Sequence, residues 1–405
     1  RPGLCTRTYG HVPLQASSHH LRGRKRNSAW NYRALGFGAL KMRTPTSEDL
    51  TLFADSMDRI LGDLYDPVRR AALTGSPDGF SEENWNVFSE AGWLGAMFAE
   101  RDGGYGDGIQ ETLLLFERVG AALVLEPLLD CVLLSGQVLA AIGGDTARAA
   151  LGDIIEGRSR TVLLAAGPDS SPNIMATQEN DHWRLSGTNA VVRWAPAADR
   201  LLVHASCDGG SALFLVGSSV DGVKLTNFKL VDGSRASQIT LEDVTVPLSG
   251  LVATGTLADA AVGHGYALAT LAICSEAVGA MDRCVWMTRD YLKDRRQFGQ
   301  PLSSFQALQH RMADMLIELE LAGALVRRAG HELATLNPAE RDRLISACKV
   351  AVARAGQFAS ANAIQLHGGI GVTDEYVIGH YFKRLLVIEQ QFGNADTHLE
   401  RFIGA

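Results

Sequence analysis

The sequence predicts an α+β multidomain chain: a helical N-terminal domain, a central antiparallel β-domain and a C-terminal helical bundle. Three observations predict it. Apolar residues recur at three- and four-residue spacing from about 48 to 150, the period falls to two from about 160 to 248, and the helical period returns from 256 to the end. The expected divisions are 1–41, 42–150, 151–248 and 249–405.

The first division is a basic leader, with eight Lys or Arg, no acid and no sustained period. It reads as transit-peptide-like or as disordered, non-native sequence ahead of a natural start at Met42, and the second is expected. Patterning begins just after "MRTPTSEDL". In the second division "DLTLFADSMDRILGDLYDPV" sets Leu50, Phe53, Met57, Ile60, Leu61 and Leu64 on one helix face. "SEENWNVFSEAGWLGAMF" opens on Ser81 before two acids, an N-cap and first turn. The loop "AERDGGYGDG" is too glycine-rich for a helix, and an apolar hairpin follows.

The β-domain is read from short segments parted by Gly, Asp, Asn and Pro: "TVLLAA", "HWRLSGTNAVV", "RLLVHAS", "ALFLVG", "VKLTNF" and "ASQITLEDVTVP". In the last, Ile239, Leu241, Val244 and Val246 nearly alternate with polar residues. In the bundle, Leu308, Met312, Met315, Leu316 and Leu319 form one stripe, and small residues in "RLISACKVAVARAGQFASANAIQLHGG" permit close helix packing.

Composition bounds the function. Of 405 residues 46% are hydrophobic and 20% charged, ordinary for a globular protein. The formal net charge is −7, and the part after the basic leader is more acidic still, which argues against nucleic acid as a partner. Six scattered cysteines without a CxxC pair fit a reducing, cytoplasmic location, and no metal-binding spacing occurs. The apolar stretch 113–144 is interrupted by Glu117, Arg118, Glu126, Pro127 and Asp130, so no membrane span is expected there.

The order of blocks, with "RRQFGQPL" at 295–302 and "QLHGGIG" at 365–371, resembles the acyl-CoA dehydrogenase family. The likeness runs from about Ser81 to Phe402 and includes "LGAMFAERDGGYGDG", "WRLSGTNAVV" and "VDGVKLTNFKLVDGSRASQITLEDVTVP". It implies a four-helix C-terminal bundle, FAD as cofactor, an acyl-CoA substrate, an electron-transfer acceptor and α,β-desaturation of the thioester. In that family the two motifs cross a subunit interface to hold the ADP half of a neighbour's flavin. The residues matching them are Arg295, Gln297, Phe298, Gln365, Gly368 and Gly369. Their chemistry suits the task. A guanidinium grips pyrophosphate, amides hydrogen-bond, a phenyl face covers part of the nucleotide, and glycines let backbone N–H groups approach phosphate.

Other family features are missing. The usual catalytic glutamate position, in "IEQQFGNADTHLERF", falls on Phe392, and the minority position on the first bundle helix falls on Ala269. The stretches matching the flavin-ring contacts, "AAGPDSSPNI" and "VVRWAPAAD", keep Trp194 without the hydroxyl handles, and Thr270 stands where an arginine often anchors CoA. Glu276, Glu375 and Glu389 are the remaining carboxylates that could serve as base, with ion-pair or helix-end roles preferred for Glu276 and Glu375. The expectation is a subunit of an α2β2 hetero-oligomer that lends its cofactor residues to a related, catalytic chain. The alternatives are a self-sufficient homo-oligomer with a relocated base, or a scaffold without flavin.

Overall fold

In a computed structural model the described residues are 48–404, except Asp107, Pro168 and Asp169; the leader lies outside them. The N-terminal helices are α1 (Glu48–Leu64), α2 (Pro67–Gly75), α3 (Glu82–Glu90), α4 (Trp93–Ala96), α5 (Ile109–Ala122), α6 (Ser135–Ile142) and α7 (Gly144–Ile155), with a π-helical stretch Leu128–Leu134 running into α6. Ser81 caps α3 as its sequence suggests, accepting from the Asn84 N–H at 3.2 Å. Asp66 caps α2 through the N–H groups of Val68 and Arg69, with Pro67 in the first turn.

Eight strands form one sheet: β1 (Thr161–Leu164), β2 (Ile174–Glu179), β3 (His182–Arg193), β4 (Arg200–Cys207), β5 (Gly210–Gly217), β6 (Val223–Lys229), β7 (Arg235–Pro247) and β8 (Leu251–Thr254). The order is β6-β7-β3-β2-β4-β5-β8, with β1 beside β4. The sheet is mostly antiparallel, but β4 pairs in parallel with both β1 and β2. A period of two reports which face a side chain takes and nothing about strand direction. The imperfect alternation of β7 has a local cause. Its register with β3 shifts between Leu185 and Gly187, Asp243 takes a φ of 51°, and Ser186 Oγ donates to Asp243 Oδ1 at 2.9 Å.

The bundle comprises α8 (Gly255–Asp294), α9 (Gln306–Glu332), α10 (Pro338–His367) and α11 (Ile378–Gln390), followed by α12 (Ala395–Gly404). Asn337 and Glu340 form a reciprocal capping box at the start of α10. By length and hydropathy α8 is long and apolar enough to cross a membrane, but most of that window is buried as the central helix of the fold. Two glycines let α5 cross it closely. A Cβ on Gly120 would lie 1.8 Å from the Glu276 carbonyl oxygen, and one on Gly279 equally close to that of Glu117. Helices α8 and α10 run parallel, matching His264 with Arg341 and Tyr291 with His367.

Candidate cofactor arms and a vacated catalytic position

Helix α8 ends where the sequence breaks. The Arg295 N–H closes the last turn on Tyr291, and Arg296–Gln297 then pairs antiparallel with Gln300–Pro301. Between them Phe298 and Gly299 take φ values of 54° and 80°, the left-handed pair that a two-residue hairpin of primed type requires. Asparagine is the usual first residue of such a turn; a phenylalanine there costs about 1 kcal/mol. Its ring is nevertheless 88% exposed, touching Phe305 only edge-on. A strained backbone presenting an apolar ring to solvent is a feature that folding alone does not favour.

The second motif lies at the same end of the bundle. Gln365, Gly368 and Gly369 are exposed, and a Cβ on either glycine would meet nothing in the chain. Packing within the chain therefore does not require glycine at either place, although the φ of 63° and ψ of −142° at Gly368 do favour it. The two arms share one brace. Tyr291 Oη donates to the His367 carbonyl at 3.2 Å, the two rings stack at 4.4 Å, and Tyr376 packs on both. This surface of guanidinium, amide, exposed ring and bare backbone suits the ADP half of a dinucleotide.

Phe392, where the family resemblance places the base, is at the opposite end. Phe392 packs edge-on against Tyr266 at 5.6 Å, and its φ of 64° is held by the turn around it. Lys349, fully buried on α10, donates to the carbonyls of Ile388, Glu389, Gln391 and Gly393 at 2.8 to 3.0 Å. Burial pushes its ammonium down to about 8, opposed by Cys274 and Glu389. From Tyr266 to Arg295 is 29 residues along α8, a rise of about 43 Å. A single extended dinucleotide cannot span that distance.

Among the described residues Glu276, Glu375 and Glu389 do not take the place of a carboxylate at Phe392 or Ala269. Ala269 is fully buried. Glu276 is also buried and accepts two hydrogen bonds from Arg384, at 2.6 Å and 2.8 Å, the interhelical pair that its place on an apolar helix suggests. Glu375 is exposed beside the cofactor arms, away from Phe392. Glu389 is buried, accepting from the Gln390 amide and the Ala395 N–H. Thr270 is buried too, its hydroxyl donating to the Tyr266 carbonyl at 2.7 Å.

Beside Trp194, in the stretch that matches the family's flavin-ring contacts, the chain is filled by charge. Arg384 also reaches Asp232 at 2.9 Å, Arg70 donates to the Asp232 carbonyl at 3.2 Å, and Arg193 lies 3.5 Å from Asp130. Burial would raise the Asp232 carboxyl, but Arg193 and Arg384 hold it down at about 2; burial raises Asp130. The cavity among these groups is about 30 Å³, room for about one water and far too small for an isoalloxazine. The groups that suit an ADP moiety are thus exposed at one end of the bundle, whereas the cavity beside Trp194 does not fit a flavin ring. Sequence reasoning missed this network and Lys349. The signal available was a lone lysine inside "SACKVAVARAG".

Comparisons with known proteins agree with the architecture. The family model "Acyl-CoA dehydrogenase, C-terminal domain" matches residues 264–403. The chain is 30% identical to acyl-CoA dehydrogenase FadE27 of Mycobacterium tuberculosis, over 85% of this chain and 93% of that protein. Among solved structures, it superposes on the Tcur3481-Tcur3483 steroid ACAD with a TM-score of 0.79 at 29% identity, covering 88% of this chain and 97% of that one. It superposes on the ChsE4-ChsE5 complex from Mycobacterium tuberculosis with a TM-score of 0.81 at 26% identity, covering 90% and 98%. With its helix–sheet–bundle order, both glycine-bearing arms and a near-full-length relative, the chain belongs to the acyl-CoA dehydrogenase family, FAD-dependent oxidoreductases of the acyl-CoA CH–CH bond.

Proposed function

We propose that this chain is the non-catalytic subunit of a hetero-oligomeric acyl-CoA dehydrogenase, in an α2β2 assembly with a related catalytic chain. Arg295, Gln297, Phe298 and Gln365, with the backbone at Gly368 and Gly369, hold the ADP half of an FAD whose ring lies in the partner. When bound, that flavin accepts the β-hydride of the acyl thioester. This chain's own residues bind and orient, and the partner supplies the glutamate that takes the α-proton. The observation that carries the reading is the split between the two ends of the bundle. The outward arms are intact, while both base positions hold groups that cannot accept a proton, Phe392 and Ala269. A bulky, steroid-derived thioester is the proposed substrate class, in keeping with the steroid ACAD among the similar structures. An electron-transfer flavoprotein type of acceptor and a cytoplasmic location complete it.

The test is co-expression with a homologous catalytic chain. FAD and turnover in the mixed complex, neither in the lone chain, are expected. Arg295→Ala should lower FAD affinity of the mixed complex about 10- to 100-fold, the loss of a charge-assisted grip. Flavin and turnover in the lone chain would overturn the proposal in favour of a self-sufficient enzyme; no flavin in either would favour a scaffold.

A further inference from the structure

We infer that the outward face of α9, centred on Leu321, is a contact between two copies of this chain, packed antiparallel about a two-fold axis. The inner face of α9 serves its own bundle, through the buried Met315, Leu319, Ala322 and Val326. A second apolar stripe faces solvent, with Ile317 54% exposed and Leu321 64%. At 3.6 residues per turn, His310, Asp314, Ile317, Leu321, Ala324 and Arg328 fall on one face, and all six are exposed. Their spacing alternates between four and three, that of helices packing side by side. Two large aliphatic side chains at the centre of such a stripe are stabilised when another helix covers them.

Charge selects the occupant. Asp314 stands seven residues before Leu321, and Arg328 seven residues after it. A two-fold axis at Leu321 therefore sets Asp314 opposite the copy's Arg328, twice, and Ile317 against its Ala324. His310 and Glu332, each eleven residues from Leu321, meet in the same way. A parallel pairing would set Asp314 on Asp314 and Arg328 on Arg328, where like charges repel. Asp314 has no ion pair among the described residues. Arg328 donates to Glu332 at 2.9 Å through Nε alone, and both side chains are exposed. Its two terminal nitrogens have no acceptor among the described residues, so they remain open to a carboxylate from outside. A contact between identical surfaces needs a self-complementary pattern, and this stripe has one.

The face is distinct from the cofactor arms. Helix α9 begins at Gln306, next to the Phe298–Phe305 ring contact, and Leu321 stands 15 residues further along, a rise of about 22 Å. In the α2β2 assembly this contact joins the two copies of this chain, a placement that rests on that reading, whereas the face itself does not.

The mass of the lone chain tests it. Sedimentation velocity from about 1 to 100 μM, the range suited to a small interface, should show a reversible dimer. Leu321→Glu should be monomeric throughout, with the circular dichroism of the wild type because the position is exposed. Asp314→Arg should weaken the dimer at least about tenfold, since like charges then face each other twice. Adding Arg328→Asp to Asp314→Arg should restore it. A monomeric wild-type chain, a dimer retained by Leu321→Glu, or a double variant as weak as Asp314→Arg alone would overturn the assignment. In the mixed complex Leu321→Glu should reduce four chains to two with FAD still bound, and a complex still of four chains would also overturn it. A lone-chain dimer dissociated by Leu321→Glu supports the contact even should the mixed complex hold no FAD, which would sink only the subunit reading.

Discussion

Arg384 on α11 holds Glu276 on α8 by two parallel hydrogen bonds and reaches Asp232, in the loop between β6 and β7, with its remaining nitrogen. Burial opposes its charge, but Glu276 and Asp232 hold the guanidinium pKa above its usual value. One side chain thereby ties the bundle to the β-domain, and Arg70 on α2 brings in the N-terminal helices through the same loop. A carboxylate spent in this way is a structural member of the fold.

Glu276→Gln should therefore lower the unfolding free energy by about 3 kcal/mol or more, since it breaks a buried ion pair from one side. Chemical denaturation measures this, while turnover per folded mixed complex stays unchanged. Lost turnover at full stability would restore Glu276 to the role of base.

Phe298→Asn should act in opposite directions on fold and cofactor. Asn-Gly is the preferred pair for this turn, so the fold should gain about 1 kcal/mol. The mixed complex should at the same time hold FAD more weakly, because the exposed ring is lost. Equal FAD affinity in the variant would remove Phe298 from the cofactor arm.

Lys349→Met should strip the carbonyls of Glu389, Gln391 and Gly393 of their ammonium donor, while Ile388 keeps the Gln391 N–H. A loss of about 3 kcal/mol or more is expected, from several buried acceptors left unpaired. Hydrogen exchange should rise first in 388–394, the turn that carries Phe392. Exchange unchanged in that turn would show that the ammonium does not hold it.

Stability should fall on acidification through Asp232. Arg193 and Arg384 hold its folded pKa at about 2, below the ordinary 3.8. The contribution is thus present above about pH 4 and lost as pH falls through about 2. The gap is worth about 2 kcal/mol. Asp232→Asn should be less stable than the wild type above pH 4, and the difference should shrink between pH 4 and 2. A difference constant across that range would show that Asp232 is not held ionised by Arg193 and Arg384.

Much of this was legible in the sequence because it is local. The Ser81 cap, the alternation in β7, the break after Tyr291 and the glycines at 368 and 369 depend on residues within a turn or two of each other. Family resemblance carried by ordered motifs added the architecture and located Phe392 and Ala269. Strand direction was not legible, and neither were β2 and β8, short strands without a clear period.

By itself, then, the sequence determined the order of helices, sheet and bundle, the break at the Arg295–Phe298 turn, and the residues, Phe392 and Ala269, that stand where the family resemblance places a carboxylate. Only the tertiary structure decided what the other charged residues do. Glu276, Arg384, Asp232 and Lys349 are far apart along the chain, and a buried charge is defined by the partners that packing brings to it. The same holds for distance. The 40-residue length of α8 sets the proposed cofactor residues and Phe392 at opposite ends of the bundle, because both are fixed to one rigid helix.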